Sequence, residues 1–172
     1  MDPDDIMEVI DAVIPYLKSE PMLIEDVPFG CQIVGDTHGQ LYDLDRVFTG
    51  DDANLKPGYE RGMRYVFLGN YVDKGRQSIE VMTALFILKM FYPDQIFLLR
   101  GNHEFINVNL KGGFSIDILE KYTLQDATHM IFSAFNEAFA NLSVAAIVGN
   151  VYFCAHGGIS PSGFTRRQLR AV

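Results

Sequence analysis

Four short polar motifs, each containing glycine and each following an apolar run of strand length, recur along the 172-residue chain. Helical stripes of apolar residues lie between the first three runs. Strands that alternate with helices predict a βαβαβ unit with right-handed crossovers and a sheet covered by helices, which is an α/β fold. The motifs occupy residues 35–39 (GDTHG), 69–75 (GNYVDKG), 101–104 (GNHE) and 156–158 (HGG).

Hydrophobic periodicity also predicts the boundaries of the elements. Ser78 is expected to cap the helix that begins beside it. Gly149 and Asn150 are expected to form the tight turn of a hairpin, because both tolerate positive φ. A polar loop is expected over residues 49–62. Strands are predicted over 31–34, 65–68, 96–99, 144–148 and 151–155, and helices over 4–19, 41–48, 79–91, 124–140 and 165–171.

Composition places the chain among ordinary globular proteins, with 48% hydrophobic and 21% charged residues. A net charge of −8 argues against a nucleic-acid footprint, which usually has a basic stripe. No apolar run reaches transmembrane length, which argues against a membrane span. Neither nucleic acid nor a membrane is therefore expected as a partner. Cys31 and Cys154 lie in strand-like runs and are expected to be buried thiols. This favours a reducing compartment, namely the cytoplasm, the nucleus or both.

The motifs carry side chains suited to a metal site. In α/β sheets the active crevice lies at the carboxyl ends of the strands, where these motifs begin. Their Asp, His and Asn side chains are ligands for hard or borderline dications and indicate metal-assisted chemistry on a phosphate. His103 is a candidate proton donor whose tautomer Asp73 would fix. The candidate residues are Asp36, His38, Asn70, Asp73, Lys74, Asn102, His103 and His156.

Each motif taken alone also has a structural interpretation. Residues 35–39 could be a strand-to-helix turn with an Asp cap, and residues 69–75 a polar loop closed by an ion pair. His103 could be a buried core histidine and His156 a turn histidine. The joint occurrence of the four motifs, in this order and each after a strand, favours the metal site. His129, inside a helical run, has no such context and is expected to be structural.

The chain closely resembles the catalytic domain of PPP-family serine/threonine protein phosphatases, nearest to the type-1 group, within the metallophosphoesterases. The resemblance runs from about residue 4 to residue 172 and includes the stretches 36–44, 97–104 and 145–148. It implies two divalent ions, with manganese, iron and zinc as the candidates. Asp36 and His38 would bind one ion and Asn102 and His156 the other, and position 70 would bridge both.

The same resemblance implies hydrolysis of phosphoserine or phosphothreonine by direct attack of water. His103, oriented by Asp73, would protonate the leaving oxygen. Lys74, together with Asn102 and His103, would contact the phosphate. Phosphoprotein substrates are the implied partners, and regulatory subunits are further candidates.

The chain departs from the family pattern at several points. The family has Asp at the position of Asn70 and Arg at that of Lys74, and residues 105–108 differ from its usual run. Loss of the bridging carboxylate and of the guanidinium fork predicts impaired activity. The family's domain continues past the position of residue 172. Residues 1–172 are therefore expected to be the N-terminal part of a single domain, with an incomplete β-sandwich, an exposed sheet edge and marginal stability.

Two other functions stay open. The first is a pseudophosphatase, a folded adaptor that binds partners or phosphoproteins without turnover, which the residues at 70 and 74 favour. The second is a different metallophosphoesterase that acts on nucleotides. The long match through residues 40–44 and 98–104 argues against the second function.

Overall fold

The computed structural model describes residues 1–50, 56–122 and 125–171. Two short 3-10 turns, Gly58–Arg61 and Asn102–Glu104, accompany the regular elements. The described helices are α1 (Pro3–Ser19), α2 (Leu41–Thr49), α3 (Ser78–Phe91), α4 (Ile106–Asn109), α5 (Gly113–Lys121), α6 (Gln125–Ala140) and α7 (Arg166–Leu169). The described strands are β1 (Leu23–Val27), β2 (Cys31–Val34), β3 (Arg64–Phe67), β4 (Ile96–Leu98), β5 (Ala145–Val148) and β6 (Tyr152–Ala155).

The strands form two three-stranded sheets. In the first, β2, β3 and β4 lie side by side in that order and all run parallel. With α2 and α3 as crossovers, this is the predicted βαβαβ unit, so the α/β fold class is confirmed. In the second sheet β5 lies in the centre, parallel to β1 and antiparallel to β6. An isolated parallel bridge pairs Leu99, which directly follows β4, with Ser143, which lies two residues before β5.

Two layers of core enclose the first sheet. On one face, helices α1, α2, α3, α5 and α6 pack against β3 through residues such as Tyr65 and Phe67. On the other face, Val66 of β3 and Phe97 of β4 share a cluster with Ala146 of β5 and Cys154 of β6. The sheets therefore pack face to face as a sandwich, with the helices covering one side. Cys31 and Cys154 are free thiols.

The β5–β6 hairpin forms as the sequence predicts. Gly149 and Asn150 have φ values of 58° and 60°, which are those of a type I′ turn. β6 lies at the edge of its sheet, and its Tyr152 and Phe153 side chains are 59% and 40% exposed. Among the described strands, none pairs with the outer side of β6, so this edge of the sheet is open.

The predicted cap of α3 is wrong. Ser78 is the first residue of the helix, and its hydroxyl oxygen is buried without a hydrogen-bond partner. The Asp117 carboxylate, from α5, instead accepts hydrogen bonds from the backbone N–H groups of Ser78 at 3.0 Å and Ile79 at 3.4 Å. Local sequence could not reveal this, because the capping side chain lies 39 residues away.

The other differences lie at the ends of elements and in elements that the sequence did not predict, namely β1, α4 and α5. Residue 124, predicted as helical, and residues 51–55 of the predicted polar loop lie outside the described residues. The predicted helix over 165–171 shortens to α7, which Thr165 caps by accepting from the backbone N–H of Gln168. β1 was not predicted, because Glu25 and Asp26 interrupt its apolar pattern. No helix in the described ranges is both long and apolar enough to cross a bilayer.

Lys89 is 1% exposed, and its ammonium supports the junction of α3 and β4. It pairs with Glu20 and donates to the carbonyl oxygens of Pro93 at 3.0 Å and Ile96 at 2.8 Å. Replacing Lys89 with Met is expected to lower the free energy of unfolding by about 2 kcal/mol, because these acceptors lose their donor. Urea denaturation measures the change. Lys18→Met, at an exposed pair with Glu137, is the control, and equal losses in both variants would contradict the prediction.

Candidate active site

The predicted site residues converge at the carboxyl ends of the strands. The loop after β2 carries Asp36 and His38, and it lies against the loop after β3. Backbone N–H groups of Thr37 and His38 both donate to the carbonyl oxygen of Asn70, at 3.0 and 2.9 Å. Asn102 and His103 follow β4, next to β3. His156 follows β6 and reaches the group from the second sheet.

The site loops have unusual backbone conformations. Non-glycine residues with positive φ are rare, and four of the five in the described chain are site residues. His38, Asn70, Asp73 and Lys74 have φ values of 41°, 59°, 68° and 64°. Such conformations persist only where surrounding contacts fix them, and they cluster at functional sites. The loop geometry is therefore imposed by its surroundings rather than by local preference.

Glycine allows two of the loops to touch through their backbones. A Cβ on Gly69 would lie 2.2 Å from the backbone nitrogen of Gly101, and one on Gly101 would lie 2.5 Å from the Asn70 side-chain oxygen. Both distances are too short for any side chain. This contact between the β3 and β4 loops is what brings Asn70 close to Asn102 and His103.

Glu104 holds the loops after β3 and β4 together. It is 0% exposed, and its carboxylate accepts from the backbone N–H groups of Asn70, Tyr71 and Gly101 at 2.8–2.9 Å and of Val72 at 3.4 Å. Burial raises the pKa of Glu104 above its usual value, while these donors oppose the shift. This positioning role was not predicted. Its one signal in the sequence is an acid directly after a strand-end Gly-Asn-His, where loop N–H groups need an acceptor.

His103 and Asp73 form a tight pair. His103 Nδ1 donates to Asp73 Oδ2 at 2.6 Å, and Asp73 Oδ1 accepts from the backbone N–H of Phe114 at 2.7 Å. Asp73 thereby sets the imidazole tautomer and leaves Nε2 as the ring nitrogen that can exchange a proton with a ligand. The ring of His103 meets that of His38 edge to face, with centroids 4.8 Å apart.

His38 and Asp36 lie side by side. His38 Nδ1 donates to the carbonyl oxygen of Val72 at 2.6 Å, so Nε2 carries the lone pair. This Nε2 lies 3.1 Å from Asp36 Oδ2 and accepts from the Lys74 ammonium at 2.8 Å. Asn70 Nδ2 donates to the same Asp36 oxygen at 3.1 Å.

The pKa of Asp36 reflects these neighbours. Burial is the largest single influence and raises the pKa. The Asn70 hydrogen bond and the nearby His38, His156 and Lys74 together outweigh it, so the pKa lies below its usual value. Asp36 therefore remains a carboxylate in the folded protein and is available as an oxygen ligand.

A second donor pair lies on the other side of Asn70. Asn102 Oδ1 and His156 Nε2 are 2.9 Å apart. Asn70 Oδ1 accepts from the backbone N–H of His103 at 3.0 Å, which ties it to the turn that carries Asn102. A cavity of about 350 Å³ opens beside Asn102 and His156 and provides room for a ligand. A larger cavity of about 530 Å³, between α2 and α3, contains no site residue.

These donors suit divalent metal ions in chemistry and in spacing. A carboxylate, two imidazoles and amide oxygens are ligands for borderline dications. Two ligands about 2.1 Å from one ion and at right angles lie about 3 Å apart. The separations of 3.1 Å for Asp36–His38 and 2.9 Å for Asn102–His156 match this value. Asn70, the predicted bridge, presents its amide nitrogen to Asp36, so it acts here as a hydrogen-bond donor.

The described residues contain no cluster of three or more His, Cys, Asp or Glu side chains suited to a metal. Of the candidate ligands, positions 70 and 102 carry amides, which belong to none of these residue types. The site therefore holds two pairs of donors joined by a neutral amide. Pairs of this kind bind a dication more weakly than a carboxylate-bridged set.

Comparisons with known proteins relate this chain to a family and to solved structures. The sequence profile of the calcineurin-like phosphoesterase family matches residues 33–171. A solved structure from Saccharomyces cerevisiae, a protein serine/threonine phosphatase described as similar to human phosphatase PP5, superposes with a TM-score of 0.85 and is 28% identical. That match covers 100% of this chain and 53% of the yeast chain.

A second solved structure is a cold-active protein-tyrosine phosphatase from a psychrophilic Shewanella species. It is 18% identical with a TM-score of 0.59, and the match covers 91% of this chain and 51% of that one. At this identity the likeness supports the fold alone. The chain spans about half the length of both solved structures.

Proposed function

The chain belongs to the calcineurin-like phosphoesterase family, and from this premise we propose that it hydrolyses phosphoserine and phosphothreonine in proteins. The observation that carries the proposal is the His103–Asp73 pair, at 2.6 Å, beside the donor pair of Asp36 and His38. A histidine with a fixed tautomer next to a metal site is suited to protonate an alkoxide leaving group. The yeast relative, a serine/threonine phosphatase, supports the choice of substrate.

In the proposed reaction each residue has a separate task. Asp36 and His38 would hold one divalent ion, and Asn102 and His156 a second, with Asn70 between them. Bound ions of this kind polarise a phosphoryl group and lower the pKa of the attacking water. His103 Nε2 would give its proton to the serine or threonine oxygen, while Asp73 stabilises the charged imidazole. Lys74 would contact a phosphate oxygen as a single cationic donor.

Manganese, iron and zinc are the proposed ions, because the donor set mixes imidazole nitrogen with oxygen ligands. Phosphoproteins are the proposed partners, with regulatory subunits as further ones. The cytoplasm, the nucleus or both are the proposed locations.

A second candidate function is phosphoprotein binding without turnover. Two contacts favour it. The Asn70 amide donates to Asp36 at 3.1 Å, and the Lys74 ammonium donates to His38 at 2.8 Å. These contacts give Asp36 and His38 hydrogen-bond partners when no ion is bound, so the pocket can persist as a binding surface in a metal-free protein.

Replacing Asn70 with Asp is the test that separates the two functions. The added carboxylate would offset the repulsion between two dications. We expect manganese-dependent phosphate release from a phosphothreonine peptide to rise about tenfold, which corresponds to about 1.4 kcal/mol. Asn150→Asp, at a left-handed position in the distant hairpin turn, makes the same chemical change and is expected to leave the rate unchanged.

The outcomes are distinct. A rise only in Asn70→Asp supports hydrolysis with position 70 as its weak point. No phosphate release from either protein, together with saturable binding of the same phosphopeptide, supports the binding function. Release from a nucleotide but from no phosphopeptide contradicts both candidates.

A further inference from the structure

Lys74 makes an unusual contact with a candidate metal ligand. Its ammonium donates to His38 Nε2 at 2.8 Å, although Lys74 is an exposed residue. The Lys74 backbone lies in the left-handed region, with φ of 64°, and its side chain reaches from the loop after β3 to the loop after β2. Lys74 could extend into solvent but contacts His38 instead.

The contact uses the one lone pair that His38 can offer. Nδ1 is committed to the carbonyl oxygen of Val72 at 2.6 Å, so it carries the ring proton. Nε2 is then the only ring nitrogen with a lone pair, and Lys74 occupies it. An ammonium and a metal ion cannot share one imidazole lone pair. Binding of an ion by His38 therefore requires the Lys74 side chain to move.

Asp36 is satisfied in the same way. The Asn70 amide donates to Asp36 Oδ2, the oxygen that lies 3.1 Å from His38 Nε2. Lys74 thus supplies a positive charge next to the Asp36–His38 pair, and Asn70 supplies a hydrogen-bond donor. Asp36 Oδ2 and His38 Nε2, the two atoms that would bind the first ion, thus each accept a hydrogen bond from a side chain of this protein.

We infer that Lys74 is a tethered cation that competes with the divalent ion for His38. The inference rests on the metal site of the proposed function and adds a determinant of its affinity. In the metal-free protein the Lys74 ammonium neutralises the Asp36–His38 pair. When an ion binds, the ammonium leaves His38 and becomes available to a phosphate oxygen.

Calorimetric titration with Mn²⁺ alone tests this competition, in wild-type protein and in Lys74→Met. Methionine keeps an unbranched side chain of similar length but has no charge and no donor. A hydrogen bond from a charged group contributes enough that its removal is expected to tighten Mn²⁺ binding by about tenfold or more. Lys74 is exposed and touches no core cluster, so the variant is expected to fold.

Arg76→Gln is the matched control, because it removes one positive charge two residues further along the same loop. If only the overall charge near the site mattered, both variants would tighten Mn²⁺ binding equally. If Lys74 competes for the lone pair, Arg76→Gln is instead expected to change the Mn²⁺ affinity by less than about twofold. It removes only a surface charge, whose effect on the site is screened by salt.

The ¹⁵N resonance of His38 Nε2 in the metal-free protein gives a second measurement. Loss of the ammonium donor in Lys74→Met is expected to shift it, and Arg76→Gln is expected to leave it in place. Tighter Mn²⁺ binding and a shifted resonance only in Lys74→Met support the inference. Unchanged affinity in Lys74→Met, equal tightening in both variants, or no Mn²⁺ binding to any of the three proteins would overturn it. No phosphopeptide is present, so a failure of the proposed hydrolysis leaves these results intact.

Discussion

Replacing His103 with Gln is expected to lower hydrolysis of a phosphothreonine peptide by about 10²–10⁴-fold, the usual contribution of a positioned general acid. Glutamine can occupy the space and accept or donate a hydrogen bond, but it cannot transfer a proton to the leaving oxygen. Phosphate release should be measured in whichever of the wild-type and Asn70→Asp proteins turns over faster, so that the loss is observable. His129→Gln, on the exposed surface of α6, is the control.

A change of leaving group makes this test specific to proton transfer. p-Nitrophenyl phosphate releases a phenolate that needs no proton, so His103→Gln is expected to impair its hydrolysis much less than that of the peptide. Equal losses with both substrates would contradict the assignment of His103 as the proton donor. His103 would then act by holding the loop or the phosphate.

Replacing Glu104 with Gln is expected to lower the free energy of unfolding by about 3–5 kcal/mol. The two carboxylate oxygens together accept four backbone N–H groups. A glutamine side chain has a single acceptor oxygen, and its NH₂ group would face N–H donors that then have no partner. Each buried donor left unpaired costs about 1–3 kcal/mol. For a chain of this length the melting temperature should fall by about 10 °C.

Glu137→Gln is the matched control for this substitution. Its carboxylate is exposed and lies 3.6 Å from the Lys18 ammonium, an arrangement that contributes little to stability. Thermal melting of both variants without added metal measures the difference. A Glu104→Gln variant that melts within about 2 °C of the wild type would show that the loops do not depend on this carboxylate.

Local signals explain why much of the fold could be predicted. The strands of the first sheet end where glycine-bounded motifs begin, and the positive φ of Gly149 and Asn150 follows from residue type. Features formed by distant residues were missed. β1 depends on pairing with β5, and the cap of α3 comes from Asp117 in a later helix. Neither interaction leaves a trace in the nearby sequence.

The candidate site was predictable to a similar extent. Binding sites of α/β sheets lie at the carboxyl ends of the strands, and this rule alone predicts that Asp36, His38 and His103 lie near one another. It cannot say which hydrogen bonds the side chains make. The donation from Asn70 to Asp36 and that from Lys74 to His38 both come from residues whose backbone is left-handed. Residue type alone does not specify that conformation for lysine.

The left-handed loop residues have a consequence for how this protein can change. Glycine contacts and the Glu104 carboxylate hold the loop backbone, whereas positions 70 and 74 carry the groups that decide whether an ion binds. Substitutions at these two positions can therefore alter the chemistry of the site while the glycine contacts and Glu104 still hold the loop backbone. During evolution a protein with this fold could lose hydrolysis and keep phosphoprotein binding, or regain hydrolysis, while every intermediate sequence still folds.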